Sequence, residues 1–94
     1  MGSGADPQKI AAVAAYLPRG FPAATVDVID ANRPDELGKY YRVIQGGNMV
    51  CRLFVPRLFH DFHDDVDRAL RDMDATGQMR RSRGVRLPRR RGEE

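Results

Sequence analysis

KYYRVIQGGNMVCRLFV, residues 39–55, is the stretch whose reading decides the fold. Two runs rich in β-branched and aromatic residues flank Gly46, Gly47 and Asn48. Such runs suit a pleated, half-buried surface, and glycine supplies the positive φ that tight turns need, so the stretch predicts a β-hairpin. Two registers compete. A three-residue loop over 46–48 sets Val43 opposite Cys51 and Tyr41 opposite Leu53, and puts Tyr40, Arg42, Ile44, Val50, Arg52 and Phe54 on the other face. A two-residue Gly-Gly loop sets Arg42 beside Cys51 and Tyr41 beside Arg52. A slip of one residue turns every side chain to the opposite face. The three-residue loop is preferred because it gathers both arginines on one face, away from the core.

Outward from the hairpin, AATVDVIDA (residues 23–31) alternates, with Ala24, Val26 and Val28 pointing one way and Thr25 and Asp27 the other. That is a strand with one buried face. NRPDELG (residues 32–38) is a connector. ADPQKIAAVAAYLP (residues 5–18) reads as a helix. Asp6 can accept the free amide hydrogens of its first turn, Pro7 suits the first helical position, and Pro18 ends it. Ile10, Val13, Ala14 and Leu17 share its apolar face.

From Pro56 to about Ala75, the apolar residues Leu58, Phe59, Phe62, Val66, Ala69, Leu70 and Met73 fall on one stripe of a second, long helix that Gly77 ends. Asp64–Arg68, Asp67–Arg71 and Arg68–Asp72 are spaced for ion pairs along its outer face. The expectation is an α+β fold: a small single domain over residues 5–77, in the order α-β-β-β-α. Two helices cover one face of a three-stranded antiparallel sheet. Residues 78–94 are read as a flexible, disordered arginine-rich tail. The element order is that of the double-stranded-RNA-binding domain, and the similarity is one of topology. Where that family carries basic residues, this chain has His60, Asp61, His63, Asp64 and Asp65. Topology carries no function by itself, so no family is assigned.

Charge divides along the chain. RRSRGVRLPRRRGEE (residues 80–94) holds seven arginines and two glutamates, and residues 1–79 hold nine basic and eleven acidic side chains. A +5 appendage thus follows a body of −2. Fourteen of the sixteen basic residues are arginine. With abundant Ala, Gly, Asp and Val this matches a compositional bias of bacterial type, so arginine over lysine is weak evidence of phosphate recognition. The apolar runs are too short to span a bilayer, the first residues have no signal-peptide pattern, and Cys51 is the single cysteine. The expectation is a cytoplasmic protein.

Candidate sites follow from these patterns. In HDFHDD (residues 60–65), His60 with Asp64 and His63 with Asp67 are each one helical turn apart, a spacing that can share a metal. The two histidines diverge by about 60° on a face read as solvated, with no third and fourth ligand, so no metal or cofactor is expected. Cys51 is read as a core side chain and no catalytic motif is found, so no enzymatic activity or small-molecule substrate is expected. The favoured function is nucleic-acid binding, RNA or DNA, through Arg80, Arg81, Arg83, Arg86, Arg89, Arg90 and Arg91, whose guanidinium groups release counterions from any polyanion. The alternative is a protein-interaction or homodimerisation module acting through the sheet-face residues Tyr40, Arg42, Arg52 and Phe54, with a merely solubilising tail. The tail has no apolar helical stripe, so a membrane partner is not expected.

Overall fold

The computed structural model describes residues 6–32 and 37–87. Helix α1 spans Pro7–Tyr16 and a 3-10 turn follows at Leu17–Arg19. The Asp6 carboxylate caps α1 by accepting from the Gln8 amide at 2.8 Å. Pro7 fills the first helical position, as its missing N–H predicts. Val13 and Tyr16 are the buried residues of α1, and Leu17 is that of the turn.

Strands β1 (Thr25–Asn32), β2 (Leu37–Gln45) and β3 (Asn48–Pro56) form an antiparallel meander. The hairpin combines the two readings offered by its sequence. Its turn is the two-residue Gly46–Gly47, with φ of 59° and 83°, closed by the Gln45–Asn48 pair. Two consecutive positive φ values suit glycine and match the twist of the flanking strands. The register nevertheless shifts between Val43 and Ile44, so that Ile44 pairs with Met49 and Val43 with Cys51. Val50 is the extra residue of a β-bulge. It restores the pairing expected of a three-residue loop, and Tyr41, Val43, Cys51 and Leu53 all enter the core.

The long second helix is corrected to three short ones: α2 (Arg57–Phe62), α3 (Val66–Asp72) and α4 (Ala75–Arg81). His63 is extended, and the Asp65 carboxylate accepts from the Arg68 amide at 3.0 Å, which starts α3 afresh. An aspartate competes well for amide hydrogens at a helix start, and that local choice overrides the continuous apolar stripe. Leu58 and Phe62 are consequently 54% exposed, while Phe59, Val66, Leu70, Ala75 and Met79 reach the core. Of the expected ion pairs, Asp67–Arg71 forms at 3.0 Å, whereas Asp64 falls outside the helices.

The three-stranded antiparallel sheet is likewise corrected. Gly84–Arg86 forms β4, parallel to β3, and the sheet is four-stranded and mixed, in the order β1-β2-β3-β4. The α2–α3–α4 segment is the long crossover that a parallel neighbour requires. Residues 78–86, expected to belong to an irregular tail, therefore lie in α4, β4 and the link between them, and Leu87 follows β4. Leu87, 1% exposed, is part of the core. Three alternating residues and one buried leucine suffice here because they dock on a preformed strand. The Arg52 amide donates to the Arg83 carbonyl at 2.8 Å, and the Leu87 amide to the Phe54 carbonyl at 3.0 Å. The result is a small α+β domain with its core between the helices and one sheet face. No described helix is long and apolar enough to cross a membrane.

Candidate functional site

Strand alternation places Ile29, Ala31, Gly38, Tyr40, Arg42, Arg52, Phe54 and Arg86 on the sheet face opposite the core. Tyr40 pairs with Phe54, Arg42 with Arg52, and Phe54 with Arg86 across neighbouring strands. The two rings meet at 5.2 Å between centroids with a 59° tilt. The Arg52 guanidinium sits 4.6 Å from the Tyr40 ring centroid and that of Arg86 sits 5.1 Å from the Phe54 centroid. Cations at that range are attracted to the ring faces.

Gly38 makes this packing possible. A Cβ there would lie 2.7 Å from Cζ of Phe54 and 2.6 Å from the Val55 carbonyl oxygen. The missing side chain lets the Phe54 ring lie down on the sheet, where it is 3% exposed although it is on the outer face. Arg42 donates to Asp27 at 2.8 Å. Directly opposed like charges on a sheet repel, and here Asp27 pairs with Arg42 while Arg52 lies over the Tyr40 ring. Among the described residues this face carries three arginines and one acid, Asp27. The helical layer, residues 6–22 and 57–82, is balanced at seven acidic and seven basic side chains.

No protein-family model, curated protein or solved structure matches the chain.

The arginines proposed from the sequence part company. Arg86 joins Tyr40, Arg42, Arg52 and Phe54 on the open face. Arg80 turns to the helical side, where its Nη2 and Nε donate to the Gly20 carbonyl at 3.0 and 3.2 Å. Arg81 and Arg83 are exposed, and Arg89, Arg90 and Arg91 lie outside the described residues. The membership of Arg86 was written only faintly in the alternation Val85-Arg86-Leu87, with two apolar residues facing in and one arginine facing out.

The histidine-aspartate stretch takes a different form from the one expected. His60 is not on a solvated face but is fully buried. Its Nδ1 lies 3.2 Å from the Pro56 carbonyl, which only accepts, so Nδ1 carries the proton and donates. Nε2 then accepts from the Tyr41 hydroxyl at 2.8 Å. Burial holds the imidazole below its ordinary pKa and pushes the Tyr41 phenol up. Both rings are sealed from solvent, and their hydrogen bond joins α2 to β2.

His63 instead packs its ring against Phe59 at 4.3 Å and Phe62 at 4.9 Å. The break between α2 and α3 abolishes the helical spacing of both histidine-aspartate pairs. Among the described residues no three His, Cys, Asp or Glu side chains converge as metal ligands do. Cys51 is buried and its thiol is pushed up by that burial, which suits packing and not nucleophilic attack.

Proposed function

We propose that this chain is a non-enzymatic cytoplasmic protein that binds single-stranded nucleic acid across the open sheet face. The arginine segment that leaves β4 would extend the grip. One observation carries this reading: the parallel docking of β4 sets Arg86 beside Arg52, Tyr40 and Phe54 on the face that no described helix covers. In the sequence, Arg89, Arg90 and Arg91 follow this strand after Leu87 and Pro88. A sheet face carrying arginines suits the accessible backbone of a splayed single strand, whereas duplex grooves are commonly read by a protruding helix. The helical layer, with its balanced charge, offers no comparable attraction.

Fluorescence anisotropy with labelled single-stranded DNA and RNA of about 16 nucleotides tests the proposal. The double variant Arg52→Ala/Arg86→Ala is expected to bind roughly ten-fold more weakly at low salt, while still unfolding in one cooperative melt. Equal binding by the double variant would show that the face is not the grip.

A second reading, homodimerisation through the same face, is favoured by Ile29, which is 41% exposed beside Tyr40. A solution mass of two chains by light scattering, lost in Ile29→Asp, supports that reading. A mass of one chain removes it.

A further inference from the structure

We infer that Tyr40 and Phe54 hold the arginines in position and do not stack bases, so that the site reads the phosphodiester backbone of a single strand without regard to base. This rests on the binding proposed above and narrows its chemistry. Aromatic residues on a nucleic-acid-binding sheet ordinarily offer an open ring face on which a base lies flat. Here both rings are engaged by the protein itself. Phe54 is 3% exposed, sunk into the space left by Gly38 and overlain by the Arg86 guanidinium at 5.1 Å. Tyr40 is half-buried under the Arg52 guanidinium at 4.6 Å. The rings are also tilted by 59° to one another, so they form no common platform.

What the arrangement does provide is two seated cations. A long arginine side chain loses much rotamer freedom when it grips a ligand. Resting the planar head of Arg52 on the Tyr40 ring removes part of that cost before the ligand arrives, and a guanidinium fork matches phosphate oxygens. Arg52 and Arg86 belong to neighbouring strands with Phe54 between them in the register, since Phe54 pairs with Arg86 and follows Arg52 by two residues on the same face. Both side chains thus flank Phe54 on the same sheet face.

The test compares labelled oligothymidylate of about 16 nucleotides with an abasic strand of equal length at low salt, using the full chain and the Tyr40→Leu variant. The abasic strand is expected to bind within about three-fold of oligothymidylate, because one stacked base alone is worth roughly five-fold or more. Tyr40→Leu is expected to weaken both strands by the same factor, because it unseats Arg52 and removes no base contact. An abasic strand bound more than about ten-fold more weakly, or a Tyr40→Leu loss confined to oligothymidylate, overturns the inference while leaving nucleic-acid binding intact. Binding of neither strand overturns the underlying proposal, and this inference with it.

Discussion

At the scale of single residues, His60 shows how a side chain changes meaning when its partner is remote in sequence. On a continuous helix it would face solvent. In the folded chain Tyr41, 19 positions away, supplies the hydrogen bond that lets the imidazole stay buried. Burial is the main cause of its lowered pKa. The Lys39 and Lys9 charges act in the same direction, while the Pro56 carbonyl and Asp61 oppose it. Lys9 also donates to the His60 carbonyl at 2.8 Å. The sign of the pH effect follows. Above about pH 6.5, the ordinary histidine value, folded and unfolded states are both neutral and the contribution is complete. As pH falls below that value, the unfolded chain takes the proton first and stability is lost, by at most about 1.4 kcal/mol per pH unit, until the folded pKa is reached. Urea midpoints at about pH 7.5 and about pH 5.5 should show the loss, and His60→Gln should flatten it. A wild-type midpoint that does not move would contradict the neutral, buried assignment.

At the scale of elements, the hairpin and the first helix were legible because their signals are local. Asp6 and Pro7 open α1, and Gly46–Gly47 turn the chain, with no help from elsewhere. The pairing register was also recoverable, since only one of the two options kept Arg42 and Arg52 out of the core; the bulge at Val50 that achieves it was not. The other end of the chain was misread for the same physical reason in reverse. The break at His63 and the strand at Gly84–Arg86 depend on what they dock against. Leu87 carries the testable consequence. A leucine in a mobile tail can be truncated freely, whereas one that is 1% exposed in the core should cost about 2–5 kcal/mol as Leu87→Ala. Urea denaturation of that variant distinguishes the two. A chain ending after Met79 loses β4 and should melt much lower than the full chain. Deleting residues 80–94 is therefore not a neutral test of the arginine segment, because it removes part of the fold.

At the scale of the whole molecule, charge is sorted by surface. The helical layer is balanced, and the excess of arginine collects on the open sheet face and in the segment that follows it. If Arg52, Arg86, Arg89, Arg90 and Arg91 all meet phosphates of a single strand, the logarithm of affinity should fall with that of salt at a slope near −3.5. Between about 50 and about 200 mM salt this is a loss of roughly a hundred-fold. Ending the chain after Leu87 should reduce the slope by about 2, with binding to the sheet face retained at low salt. An unchanged slope in anisotropy titrations would show that the terminal arginines stay in solvent. The sequence by itself determined the α+β class, the capped first helix, the hairpin and the separation of a basic end from a slightly acidic body. Periodicity, capping and charge act over a few residues and need no distant partner. Only the tertiary structure decided that residues 78–87 belong to the domain, that His60 is buried, and that Arg86 stands beside Arg52. Each of these depends on a surface assembled from segments far apart in the chain: a β3 edge able to accept another strand, a Tyr41 hydroxyl facing inward, and a Phe54 ring lying over Gly38.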